Sequence, residues 1–133
     1  MKPKVIDLFA GVGGLSLGFE NSGFDVVLAN EYDPSIAAAY EENHKRTKMI
    51  CGDITLLDLQ KTFSDYAGKV AVIIGGPPCQ GFSQKGQRKT IHDERNFLFK
   101  YFVKVVELVR PRYFVMENVP NLLTAEGGYF RKE

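Results

Sequence analysis

Short apolar runs alternate along the chain with amphipathic stretches, and turn residues mark each change. Residues 4–9 (KVIDLF) predict a strand, and the turn holding Gly11, Gly13 and Gly14 leads into a helix ending near Ser22. Asp25–Glu31 predicts a second strand. Pro34 suits the first turn of a helix capped by Asp33 and running to about His44. Residues 48–53 predict a third strand, and 55–66 a helix with Leu56, Leu59 and Phe63 on one face. Residues 70–75 (VAVIIG) form a continuous apolar run of the kind that parallel sheets bury. A polar segment spans 80–96, Phe97–Val109 predicts an amphipathic helix, and residues 113–119 predict a fifth strand.

Strand and helix in alternation imply an α/β fold, a doubly wound and mostly parallel sheet with right-handed crossovers. Ligands of such sheets sit beyond the carboxyl ends of the strands. Here every strand ends in polar, glycine or proline residues, including Gly11, Asn30, Glu31, Asp53, Pro78, Cys79 and Glu117. Five such ends on one rim mark the candidate site. No repeat, low-complexity tract or linker divides the chain, so residues 1–133 form one unit.

Composition is ordinary for a globular protein, and the net charge of +1 does not announce a nucleic-acid binder. Any DNA contact must come from a local patch. The two cysteines, Cys51 and Cys79, have neither metal-ligand spacing nor a disulfide framework, which fits a reducing compartment. No segment is long enough to span a membrane, and the N-terminal apolar run is too short for a signal peptide. A cytosolic enzyme with no metal and no membrane partner is expected.

Gly11, Gly13 and Gly14 directly follow the first strand, where a turn lets backbone approach a ligand and aims helix N–H groups at it. The pattern departs from a dinucleotide turn, because Ser16 holds the third glycine position. Glu31, twenty residues after Gly11, suits a ribose, and Asp53 suits an adenine amine. Taken singly, both carboxylates read equally well as helix caps. NAD and S-adenosylmethionine share the adenosine, and the looser turn favours the methyl donor, which has no pyrophosphate.

Pro77 and Pro78 cannot continue a ladder, so they turn the chain out of the sheet and stiffen the loop that carries Cys79. Cys51, inside a strand, reads as a small core residue. Cys79, on a rigid strand end beside the nucleotide residues, reads as a nucleophile. A thiolate adding at carbon 6 of cytosine makes carbon 5 nucleophilic, splitting one hard step into easier ones. Glu117, ending the neighbouring strand, can hydrogen-bond ring nitrogen 3 and the exocyclic amine; alone it reads as a surface carboxylate.

Asp7-Leu8-Phe9-Ala10-Gly11-x-Gly13-Gly14, Pro77-Pro78-Cys79-Gln80 and Glu117-Asn118-Val119, in this order, resemble the DNA (cytosine-5) methyltransferase family over essentially the whole chain. The resemblance implies a Rossmann-like methyltransferase fold, S-adenosylmethionine as cofactor, and a cytosine flipped out of double-stranded DNA. It implies that Phe9 stacks on adenine, Glu31 holds the ribose, Tyr32 and Ile54 flank the adenine, and Asp53 binds its amine. Ala10, Gly11, Gly13 and Gly14 form the cofactor turn, and Pro78 and Leu98 line the site. Cys79 is then the nucleophile and Glu117 holds the base. Gln80, Ser83, Lys85, Arg88, Lys89 and Arg95 become the local DNA-contacting patch, although lysines 85 and 89 read equally as a solvated loop.

The family's later basic motif, its target-recognition region and its last sheet strands do not occur before Glu133. The expectation is an N-terminal part of a catalytic domain that is inactive alone. A complementary C-terminal chain and a cognate restriction endonuclease are candidate partners, in a bacterial-type cytoplasm, nucleoid-associated when on DNA. A tRNA cytosine-5 methyltransferase and a non-catalytic fragment are the alternatives. An NAD-dependent dehydrogenase gives Cys79 no role.

Overall fold

The computed structural model describes residues 1–77 and 97–117. Five strands form one sheet: β1 (Lys4–Leu8), β2 (Asp25–Glu31), β3 (Lys48–Cys51), β4 (Val72–Gly75) and β5 (Tyr113–Met116). Their order is β3-β2-β1-β4-β5, and every pairing is parallel. The order reverses at β1. Sheets of this kind open a crevice at that switch point, beyond the carboxyl ends of the strands.

The helices α1 (Gly14–Asn21), α2 (Pro34–Asn43), α3 (Leu59–Phe63) and α4 (Phe97–Val109) cover both faces. Alternation along β1 explains this division. Ile6 and Leu8 point to one side, where they join Phe63 of α3 and Phe102, Val105 and Val109 of α4. Val5 points to the other, with Val26, Val72 and Ile74 under Leu15 and Phe19 of α1. Tyr40 of α2 packs on Ala10 and Ala29 beside them. The α/β, doubly wound, Rossmann-like architecture therefore stands as the sequence predicts.

Two expectations change. The predicted helix over 55–66 shortens to Leu59–Phe63 followed by a 3₁₀ turn, Ser64–Tyr66. Asp53 captures Thr55, and Asp58 caps the helix by accepting from Lys61 N at 3.1 Å, so the helix begins after both. Leu56 is left outside it and exposed. Cys51 is exposed rather than in the core, because among the described residues β3 is an edge strand paired with β2 alone. Asp7, by contrast, is a fully buried carboxylate inside the most central strand.

Among the described residues, β5 pairs with β4 alone. Tyr113, Phe114 and Val115 are exposed along it. An apolar strand edge in this state is a ready template for another strand.

Candidate functional site

Beyond the switch point lies a cavity of about 430 Å³ lined by Phe9, Asn30, Glu31, Tyr32, Gly52, Asp53, Ile54, Gly76 and Leu98. Its size suits a nucleoside-sized ligand. Six of the residues predicted to bind the cofactor, namely Phe9, Glu31, Tyr32, Asp53, Ile54 and Leu98, meet in this one space.

Phe9 turns the chain out of β1 with φ of 54°, a left-handed conformation that costs a bulky residue about 1–2 kcal/mol. Strain of this kind persists where the surrounding fold over-determines it, and such residues cluster at ligand sites. The next amide, Ala10 N, donates to Asn30 O at 3.0 Å, tying the turn to β2. Gly13, at φ of 96°, then caps α1. A Cβ there would run into Nε2 of the His44 ring, so both the backbone and the space demand glycine.

Glu31 is bound to the turn itself. Its Oε1 accepts from Gly11 N and its Oε2 from Asp33 N, each at 2.9 Å. A carboxylate offers about four lone-pair sites, so two remain for ligand hydroxyls. Asp53 caps no helix and instead closes a turn at the cavity wall. Its Oδ1 accepts from Thr55 N at 2.9 Å and Thr55 Oγ1 at 2.8 Å, and its side chain still lines the cavity. Tyr32 is exposed at the rim, while Ile54 is buried at the floor.

Glu117 follows β5, held by its backbone N–H donating to Gly75 O at 2.8 Å. Its carboxylate lies so close over Gly76 that a side chain there would run into Oε2. Glu117 thus reaches the edge of the same cavity. Pro78, Cys79, Gln80, Ser83, Lys85, Arg88, Lys89 and Arg95 lie outside the described residues, as do Asn118 and Val119.

Two features escape a motif-based reading. Asn30 is buried and donates through Nδ2 to Ile50 O at 2.7 Å and Gly52 O at 3.1 Å, bracing the ends of β2 and β3. The second lies under the glycine turn. Ser16 Oγ donates to Asp7 Oδ2 at 2.6 Å and stands 2.7 Å from the Tyr40 hydroxyl. The ring of Tyr40 stacks on His44 at 4.3 Å, and His44 Nδ1 meets Glu20 Oε1 at 2.7 Å. Ser16, which looked like a mere departure from a glycine pattern, is the link between β1, α1 and α2. The signal available in sequence was a charged residue inside an apolar strand.

Burial pushes the Asp7 carboxyl up to about 7, and the nearby Glu117 and Glu31 carboxylates push the same way against the Ser16 hydrogen bonds. Burial likewise raises the Tyr40 hydroxyl to about 12. A carboxyl raised in the folded state contributes stability that is full below its unfolded value and lost as pH rises through its folded value. Folding stability should therefore fall between about pH 4 and pH 7, and Asp7→Asn should flatten that slope. At pH 8 the variant should gain on the order of 2–4 kcal/mol, vanishing near pH 4. Urea unfolding across this range checks it, and an unaltered slope in the variant refutes it.

Comparison with known proteins identifies the family. Residues 3–133 match the model of the family described as C-5 cytosine-specific DNA methylase. The Type II methyltransferase M1.HphI of Haemophilus parahaemolyticus is 45% identical over 136 residues, covering 100% of this chain and 37% of that protein. M.FnuDI of Fusobacterium nucleatum is 42% identical, covering 91% of this chain and 33% of its own length. Among solved structures, an E. coli protein described as a prophage-encoded DNA modification methyltransferase aligns with a TM-score of 0.78 at 37% identity, over 98% of this chain and 36% of that one. The Dnmt2 methyltransferase of S. pombe aligns with a TM-score of 0.72 at 26% identity, over 99% and 39%. The chain thus spans about a third of the length of these curated relatives. With residues 3–133 matching the family model and the described strand-end residues gathered on one rim, the chain belongs to the C-5 cytosine-specific DNA methylase family.

Proposed function

We propose that this chain is the N-terminal part of a catalytic domain that moves a methyl group from S-adenosylmethionine to carbon 5 of a flipped-out cytosine in DNA. The observation that carries the cofactor is the charge of the cavity. Glu31 and Asp53 line it, Glu117 stands at its edge, and among the described residues no Lys, Arg or His lines it. A pyrophosphate would meet only like charge there. A sulfonium nucleoside with a net positive charge meets opposite charge, and its adenosine fits Phe9, Glu31, Asp53 and Ile54. When bound, it supplies an electrophilic methyl group.

The chain's own residues supply the rest of the chemistry. Glu117 holds the base by ring nitrogen 3 and the exocyclic amine. The Cys79 thiolate forms a bond to carbon 6, and the displaced ring electrons make carbon 5 nucleophilic. After carbon 5 has been methylated, loss of its proton drives the sulfur out again and restores the ring. Gln80, Ser83, Lys85, Arg88, Lys89 and Arg95 are assigned to the DNA backbone and the vacated base site. DNA is favoured over tRNA by the family model and by DNA-modifying relatives more alike than the Dnmt2 neighbours. A complementary C-terminal chain, a cognate restriction endonuclease and a bacterial cytoplasmic location, on the nucleoid when DNA is bound, complete the proposal. Among the described residues no helix is long and apolar enough to cross a membrane.

Calorimetric titration of the completed enzyme tests this reading. S-adenosylmethionine should bind and NAD should not. Hydrogen bonds to a charged acceptor are worth about 1.5–3 kcal/mol, so Glu31→Ala should weaken binding on the order of 10- to 150-fold. The loss of Gly11 N and Asp33 N as donors to the same carboxylate adds to that effect. Equal affinity in the variant, or preference for NAD, would refute the assignment.

A further inference from the structure

We propose that Asn30, at the end of β2, is a specificity-determining residue for the nucleoside: its amide nitrogen is spent on the end of β3, and its amide oxygen accepts from the 6-amino group of the base. The cavity thereby admits a 6-aminopurine and turns away a purine without that amine. The inference rests on the cofactor reading above and deepens it.

Asn30 is a polar residue in an apolar setting. Its register partners, Leu8 on β1 and Ile50 on β3, both belong to the cluster under α3 and α4. It is 3% exposed, and it lines the cavity. Its backbone is held between two strands, with its carbonyl accepting from Ala10 N at 3.0 Å, so the side chain is the part that reaches the cavity. The orientation of the amide is fixed. Nδ2 donates to Ile50 O at 2.7 Å and to Gly52 O at 3.1 Å, and the flipped amide would set an oxygen against two carbonyls. Both hydrogens of the nitrogen are thereby used. Oδ1 makes no hydrogen bond among the described residues. Buried polar atoms without a partner are disfavoured, and native interiors hold few of them. A brace between β2 and β3 explains the nitrogen and leaves the oxygen without a purpose.

Two neighbouring carboxylates show which part of a nucleoside meets that oxygen. Glu31 leans toward the glycine turn after β1, since its Oε1 accepts from Gly11 N at 2.9 Å. Asn30 leans the other way, toward β3, where Gly52 O sits one residue before Asp53. The sugar hydroxyls therefore belong to the Glu31 side, and the base to the side shared by Asn30 and Asp53. Phe9, Ile54 and Leu98 supply apolar surface for the ring. Thr55 takes one oxygen of Asp53, because its N and Oγ1 both bond Oδ1, and Oδ2 remains. A primary amine carries two N–H groups, and the site offers two acceptors for them, Asn30 Oδ1 and Asp53 Oδ2. A 6-oxo purine would set its own oxygen against both. A purine with hydrogen at carbon 6 would leave both without a donor. Sites built around a hydrogen-bonding group reject analogues that lack it far more strongly than they reject a change of size.

The test is calorimetric titration of the completed enzyme with three ligands: S-adenosylhomocysteine, its 6-oxo analogue, and its analogue with hydrogen at carbon 6. The wild type should prefer the amine over either analogue by roughly 100-fold. Asn30→Ala should cut that preference about tenfold, since one acceptor of two is gone. A residue that only braced the strands would weaken all three ligands alike and leave the ratio as it was. An unchanged ratio in the variant, or equal affinity of the wild type for the amine and its hydrogen analogue, therefore overturns this proposal alone. If the variant does not fold, a second measurement decides. In wild-type enzyme with ¹³C-labelled asparagine side-chain carbonyls, the Asn30 signal should move with S-adenosylhomocysteine and stay in place with the 6-hydrogen analogue. The same movement with both bound ligands, or none with either, overturns the proposal. Failure of all three ligands to bind overturns the cofactor reading and this inference with it.

Discussion

DNA carrying 5-fluorocytosine at the target position should be captured covalently by the completed enzyme, through Cys79, and Cys79→Ala should capture none. Sulfur addition at carbon 6 and methylation at carbon 5 proceed on the fluorinated base, but the adduct then holds fluorine where a proton must leave. The ring cannot regain its double bond, so the carbon–sulfur bond persists. The effect is all-or-none, because the covalent step has no second nucleophile to fall back on. Cys51 does not substitute. It is exposed at the far edge of the sheet on β3, separated from β4 and β5 by β2 and β1. The measurement is a denaturing gel of enzyme, fluorinated duplex and S-adenosylmethionine, followed by mass mapping of the labelled peptide. An adduct at Cys51, or full methylation by Cys79→Ala, would sink the mechanism.

Much of this fold was legible in sequence because its central strands β1 and β4 are buried on both faces and its turns carry their own chemistry. Residues 72–75 are an apolar run too short for a helix and closed by Gly75, and residues 4–8 form a second short run, interrupted by Asp7 and followed by the glycine turn. Helix α2 was legible to the residue at its start, because Asp33 accepts from Ser35 N and Ile36 N and Pro34 cannot donate. Helix α3 was not, since Asp53 and Asp58 are both residues suited to cap a helix, and only Asp58 does so. Cys51 shows the same limit in another form. Whether a strand is central or at an edge depends on sheet order, which no local pattern contains.

The cavity-lining residues were legible for a different reason. Phe9, Glu31 and Asp53 stand at the ends of β1, β2 and at the turn after β3, and a parallel sheet brings such ends to one rim whatever the lengths of the helices between. The Asp7–Ser16–Tyr40 link was not legible as a unit. Its members are nine and twenty-four residues apart on three elements, and each alone reads as an ordinary polar residue. The one hint, a carboxylate within KVIDLF, gains meaning only when β1 proves to be the middle strand of five.

Residues 1–133 in isolation should transfer no methyl groups to DNA, and addition of a complementary C-terminal chain should restore transfer. Tyr113, Phe114 and Val115 lie exposed on β5, whose outer edge pairs with nothing among the described residues. An apolar edge of this kind seeks a partner, so the isolated chain should self-associate at high concentration. The same edge carries Glu117 just past Met116, held among the described residues by a backbone hydrogen bond to Gly75 and by its contact over Gly76. Catalytic groups must sit within roughly half an ångström of their working position, and a displacement of about 1 Å can cost 10²-fold. A strand paired on both sides would give that precision, and a frayed edge would not. DNA binding should also be weak and steeply salt-dependent, since the segment around Lys85 and Arg95 offers phosphate contacts without base-edge readout. A tritiated methyl-transfer assay on mixed-sequence DNA, with and without the complementary chain, decides the matter. Robust Cys79-dependent transfer by residues 1–133 alone would show that β5 holds Glu117 without help.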